Sequence, residues 1–148
     1  MIYEELLKDH LVKKQEPDLH QIKNQLNRAR KDLLTAESVA PIDLIWSFTI
    51  AYHAMMRAGK ALMFSRGYLP TTKSSHKTII EFMQSALGDE CQDLLLRFNR
   101  MRRKRHDFIY DSENHTTVSE AQSALRTGRE LIAKINARIA EENPGSLF

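Results

Sequence analysis

The sequence of 148 residues contains one cysteine, five glycines and four prolines. Cys91 has no partner for an internal disulfide and no cysteine or histidine at metal-ligand spacing. Disulfide scaffolds and zinc folds are therefore excluded, and we expect this thiol to pack inertly. No apolar run reaches the ~18 residues of a membrane span, and no secretory leader is visible. We therefore expect a cytoplasmic protein without contact to a membrane.

The few glycines and prolines fall where helices should stop, and no strand alternation is visible. We predict an all-α, up-and-down bundle of about five helices that forms one domain over residues 1–148. A short amphipathic piece, Ile2 to Lys13, comes before the predicted helices. The first helix is capped at Asp18, with Gln21 completing the capping box, and the second runs from Pro41 to Arg66. A shorter third helix ends at Gly88, a basic fourth helix runs from about Asp89 to the stretch "DSENHTT", and the last runs from the Thr117–Glu120 capping box to about Glu142.

The second long helix carries a strip of small side chains at helical spacing. Its members are Ser47, Ala51, Ala54, Ala58, Ala61 and Ser65. Such a strip lets another helix lie close, and ordinary bundle packing is the favoured explanation. Tyr52 and His53 on the same helix are expected to serve aromatic packing or a partner contact.

Positive charge is concentrated in the stretch "RFNRMRRKRHDFIYD", Arg97 to Asp111, although the formal net charge of the chain is only +3. A helical projection separates this stretch into three sides. The predicted buried side contains Leu94, Phe98, Met101, Phe108 and Ile109. The predicted polar stripe contains Asn99, Arg103, His106 and Tyr110. The third, solvated side contains Arg100, Lys104 and Asp107.

Arg105 falls in the middle of the predicted apolar side, where an unpaired guanidinium would be costly to bury. Two explanations stay open at this point. The stem of Arg105 reaches out to solvent from a loosely packed helix, or its guanidinium enters a polar cleft where a carboxylate, a phosphate or a second chain pairs with it.

His106 beside several arginines has the chemistry of a phosphate site. A neutral imidazole can deprotonate a 2′-hydroxyl and cations can stabilise a phosphorane, so the groups suffice for metal-independent RNA cleavage and also for simply holding a phosphate. His10, His20, His53, His76 and His115 show no metal-ligand spacing, and no glycine-rich nucleotide loop is present. We predict neither a metal site nor a cofactor.

The run "AYHAMMRAGKALMFSRGYLPTTKSSHKTIIEF", Ala51 to Phe82, resembles the central helix and following loop of HEPN domains, and the resemblance extends to "RMRRKRHDFIYD". It implies a helical bundle that dimerises and is often encoded beside a small nucleotidyltransferase in a toxin–antitoxin-type pair. Many members are ribonucleases that use an arginine, four to six intervening residues and a histidine at the dimer cleft. Arg100 and His106 satisfy that spacing, although Met101 replaces the usual polar residue.

A second register of the same resemblance aligns Tyr110 with the tyrosine of toxin members and Arg103 with their arginine, but places Phe108 where the histidine is expected. Our hypothesis is a homodimer that binds RNA or a nucleotide phosphate and works with a nucleotidyltransferase. Catalysis is assigned to Arg100 and His106, and phosphate binding to Asn99, Arg102, Arg103, Arg105 and Tyr110. The first alternative is a metal-independent ribonuclease toxin. The second is a non-catalytic interaction bundle whose arginines pair with an acidic partner protein.

Overall fold

A computed structural model describes residues 2–111 and 115–145 of the chain. In this part of the chain six α-helices surround one continuous hydrophobic core. The helices are α1 (Tyr3–Lys8), α2 (Leu19–Val39), α3 (Leu44–Ser65), α4 (His76–Leu87), α5 (Gln92–Tyr110) and α6 (Val118–Glu142), and a 3₁₀ turn (Asp89–Cys91) joins α4 to α5. The predicted all-α bundle is confirmed. Part of the predicted polar stretch "DSENHTT" lies outside the described residues.

A small antiparallel ribbon corrects the prediction that the chain has no strands. Strand β1 (Val12–Lys14) pairs with β2 (Tyr68–Pro70) in the register Val12 to Pro70 and Lys14 to Tyr68. Strands of three residues are too short to show alternation, and their pairing depends on distant segments that the bundle brings together. The N-terminal amphipathic helix therefore ends at Lys8, before the ribbon, and does not reach Lys13.

Side-chain caps set the starts of the long helices. The Asp18 carboxylate accepts the Gln21 N–H at 3.2 Å, and Thr117 and Glu120 form the predicted capping box before α6. Helix α3 begins at Leu44 and not at Pro41, because the Asp43 carboxylate caps it by accepting the Trp46 N–H at 3.0 Å. Pro41 therefore lies in the turn before the cap.

Helix α3 is the centre of the bundle and packs against α2, α4, α5 and α6. The predicted strip of small side chains is buried along it from Ser47 to Ala61, and the Ser47 hydroxyl donates to the Ala36 carbonyl of α2 at 2.7 Å. On α6, a Cβ atom built at Gly128 would lie 2.8 Å from Leu33 of α2. Small side chains thus allow these helices to approach closely, which confirms the packing explanation. No helix in the described ranges is long and apolar enough to cross a membrane.

Candidate phosphate-binding site

The predicted polar stripe lies on the solvent side of α5. Arg103, His106 and Tyr110 are exposed, and the rings of His106 and Tyr110 lie 4.5 Å apart between centroids. Asn99, at the start of the stripe, is half-buried and accepts a hydrogen bond from Arg102 Nε at 2.9 Å. The imidazole, the phenol and one guanidinium are therefore presented together, as the helical projection predicted.

Arg100 and His106 do not meet within one chain. They are six positions apart, which separates them by about 9 Å along the helix and ~120° around it. Arg103 lies between them on the helix surface. Arg100 instead lines a groove of about 270 Å³ against α6, together with Lys104 and Glu120, whose charged groups pair at 2.9 Å. The catalytic assignment of Arg100 and His106 stays a prediction.

Arg105 turns toward the interior of the bundle. Its guanidinium carbon lies 5.5 Å from the centroid of the buried Tyr52 ring, and its Nε is buried without a hydrogen-bond partner in the described residues. The aromatic face stabilises the cation. The residue is half-buried, and both explanations given for it from the sequence stay predictions. Arg105 is therefore separated from the exposed stripe, and its predicted part in phosphate binding stays a prediction.

The C-terminal end of α5 extends past the core. Leu94, Phe98 and Met101 are buried as predicted, and Phe108 packs edge-on against Phe48 with centroids 5.4 Å apart. Ile109 is 56% exposed, so the prediction that it is buried is wrong. Ile109 and Tyr110, the last two residues of α5, are both exposed, so the apolar side is not covered there.

Two histidines that show no metal-ligand spacing in the sequence, His53 and His76, lie close together near Arg105. The Tyr52 hydroxyl lies 2.8 Å from His76 Nδ1, and the rings of His53 and His76 lie 6.4 Å apart between centroids. Tyr52 is fully buried, which confirms its packing role. The two histidines come from α3 and α4 and are 23 positions apart, so no local spacing could have indicated their association.

The electrostatic surroundings hold these imidazoles neutral. Burial first, then Arg105 and Lys60, lower the pKa of both His53 and His76 below the ordinary value of 6.5. Burial raises the pKa of Tyr52 to about 12, although Arg105 and Arg102 act in the opposite direction. Near pH 7 the cluster therefore contains a protonated phenol and uncharged imidazoles.

His53 and His76 line a groove of about 970 Å³ between the first turns of α2, the C-terminal half of α3 and the β1–β2 ribbon. We call it the α2–α3 groove. Polar side chains from α2 and cations from α3 and β1 form its walls, and Met56, Phe64 and Leu69 supply apolar surface. Within residues 2–111 and 115–145, no group of three or more histidine, cysteine, aspartate or glutamate side chains could hold a metal ion.

A family model for the HEPN domain matches residues 22–138, which is most of the chain. The chain belongs to the HEPN domain family, and this membership supports a nucleotide- or RNA-related function. None of the curated proteins and none of the solved structures compared with the chain matches it significantly.

Proposed function

We propose that this HEPN protein is a homodimer that binds a phosphate of RNA or of a nucleotide on the exposed stripe of α5 and works with a nucleotidyltransferase partner. One observation carries the proposal: Arg103, His106 and Tyr110 are exposed side by side, and Arg103 makes no hydrogen bond or ion pair with the described residues. An unpaired guanidinium beside an imidazole and a phenol offers charge, hydrogen-bond donors and stacking surface to a nucleic acid.

Arg100 extends this surface, because it lies three positions before Arg103 and therefore on a neighbouring part of the helix. The other cations of α5 are held by the protein itself. Arg97 pairs with Asp93 at 2.9 Å, and Arg102 donates to Asn99. The side chains available to a phosphate on α5 are therefore Arg100 and Arg103, with His106 and Tyr110 beside them.

Exposed apolar side chains near this stripe support the homodimer. Ile109 lies between His106 and Tyr110 in the sequence of α5 and is 56% exposed, and Val118 at the start of α6 is 57% exposed. Since Phe108 packs against Phe48, the first turn of α3 lies at the same end of the bundle, where Trp46 is 60% exposed. A second copy that covered this end would remove apolar surface from water.

The binding test uses purified protein and a fluorescently labelled single-stranded RNA, followed by anisotropy. Arg103→Gln is expected to weaken binding, whereas Arg28→Gln should not, because Arg28 lies on α2 and pairs with Asp32. Sedimentation velocity measures the dimer on the same samples. Equal affinities for the two variants would contradict the proposed site.

Ribonuclease activity is the second candidate. The exposed imidazole of His106 next to the Tyr110 ring favours it, because an accessible base is what cleavage of RNA requires. Arg100 and His106 are far apart in one chain, so if Arg100 is the catalytic arginine, it would come from the second subunit. Cytoplasmic location also stays a prediction.

A further inference from the structure

The α2–α3 groove is separate from the exposed stripe of α5. One wall is a single face of α3, on which His53, Arg57, Lys60 and Phe64 recur at steps of four, three and four. From His53 to Phe64 this face is about 16 Å long. The volume of about 970 Å³ therefore belongs to an elongated groove that can hold a small organic molecule.

One end of the groove presents hydrogen-bond donors. The buried Tyr52 hydroxyl has His76 Nδ1, at 2.8 Å, as its hydrogen-bond partner among the described residues. A buried hydroxyl proton needs an acceptor, so Tyr52 donates to Nδ1, and the proton of the neutral His76 ring must then be on Nε2. His76 therefore offers an N–H donor from a ring that the Tyr52 hydrogen bond holds in place.

Lys60 lies two turns of α3 after His53 on the same wall of the groove, and helical side chains lean toward the N-terminus, here toward the histidines. Its side chain is exposed, lines the groove and makes no ion pair with the described residues, and it acts electrostatically on both His53 and His76. We call His53, His76 and Lys60 the donor end of the groove.

The charges around the donor end are mainly positive. Arg102 and Arg105 face it from α5, Lys60 and Arg57 lie on α3, and Asp32 of α2 is the carboxylate that acts on His53. Asp32 is already 3.5 Å from Arg57 and 3.0 Å from Arg28. Burial first, and then the excess positive charge, lower the pKa of both imidazoles, and a bound anion would offset the charge.

The opposite part of the groove combines apolar and polar side chains. Phe64 supplies apolar surface, and Gln21 and Glu16 supply polar groups. A ligand that fits the whole groove therefore has an anionic group at one end and a body with both apolar and hydroxyl or amine groups.

We propose that the donor end binds the phosphate group of a small phosphorylated molecule, whose body lies along the α2–α3 groove toward Phe64 and Gln21. A phosphate monoester suits this end because it carries up to two negative charges and three acceptor oxygens. Three donor groups from His53, His76 and Lys60 match those oxygens. The proposal does not depend on RNA binding by α5.

The test is a titration of the full chain with inorganic phosphate and with glycerol 3-phosphate, followed by NMR of the histidine rings. Glycerol and acetate at equal ionic strength are the controls for the ester body and for a simple anion. Saturable shifts of the His53 and His76 signals with either phosphate compound, together with a rise in the pKa of both rings, are expected. Tighter binding of glycerol 3-phosphate than of inorganic phosphate would identify an ester as the source of the phosphate.

Lys60→Gln is the informative variant, because the exposed side chain can be replaced without disturbing the core. It should weaken phosphate binding by about tenfold or more, since it removes a charged hydrogen-bond donor. Lys31→Gln is the matched control, because Lys31 is exposed on α2 and does not line the groove.

Arg103→Gln separates this site from the proposed RNA site. It should leave the response of His53 and His76 to phosphate unchanged, even where it weakens RNA binding. The proposal is overturned if phosphate moves neither ring, if acetate and glycerol produce the same shifts, or if Lys60→Gln and Lys31→Gln bind phosphate equally well.

Discussion

The salt dependence expected for the proposed RNA binding follows from the number of exposed, unpaired arginines that the described part of α5 presents. Each phosphate contact to a single strand changes the slope of log affinity against log salt by about 0.7. Arg100 and Arg103 are the exposed arginines of α5 that make no hydrogen bond or ion pair with the described residues, whereas Arg105 lies over the Tyr52 ring and Lys104 is held by Glu120. A dimer therefore offers four such arginines, which gives an expected slope of about −3.

Arg103→Gln is the perturbation that tests this count. It removes two of the four contacts per dimer, so the slope should fall in magnitude to about −1.4. Affinity at low salt should fall more than affinity at high salt, because fewer counterions are released. Arg28→Gln, which carries the same change of charge on α2, should keep the slope of the unmodified protein.

The assay is fluorescence anisotropy with one labelled single-stranded RNA at four or more salt concentrations, on protein whose dimer is verified at each concentration. A slope that Arg103→Gln leaves unchanged would refute the assignment of phosphate binding to the stripe. A slope near zero for the unmodified protein would refute phosphate binding altogether and favour the interaction bundle with an acidic protein partner.

Three further predictions concern the histidines and Tyr52. If the dimer cleaves RNA, His106→Ala should reduce the cleavage rate by roughly a hundredfold or more, and an unchanged rate in a gel assay would exclude His106 as the base. Tyr52→Phe should lower the free energy of unfolding by about 1–2 kcal/mol, because it leaves His76 Nδ1 without its donor. Urea denaturation measures this loss. The control is Tyr110→Phe at an exposed position, which should not change the free energy of unfolding measurably. Since the folded state lowers the pKa of His53 and His76, the free energy of unfolding should be fully retained above pH 6.5 and decline as pH falls below it. Urea midpoints that do not decrease from pH 7.5 to pH 5 would contradict this prediction.

The helices were predictable because their signals are local. Caps such as Asp18 and Thr117 and the small strip on α3 depend on residues within one or two turns. The ribbon was not predictable for the opposite reason. Val12 finds its partner at Pro70, and strands of three residues carry no periodicity of their own. The start of α3 shows two local signals in competition, in which the Asp43 cap overrides the preference of Pro41 for a first helical turn.

The exposed stripe could be predicted from the sequence because, on a helix, the number of residues between two side chains fixes the angle between them. The projection placed His106 and Tyr110 together, and the structure does the same. It also marked Arg105 as anomalous, but it could not identify Tyr52 as the surface beneath the guanidinium. The association of Tyr52 with His76 requires knowledge of how α3 and α4 pack, which depends on tertiary contacts and not on spacing.

The pairing of β1 with β2 has a consequence for synthesis on the ribosome. Strand β1 emerges before its partner, which lies more than fifty residues further along, after the whole of α2 and α3. Closing a loop of that length costs conformational entropy that only long-range contacts repay. The α2–α3 hairpin should therefore form first during translation, and the N-terminal segment should dock afterwards to complete the groove wall that contains Lys13.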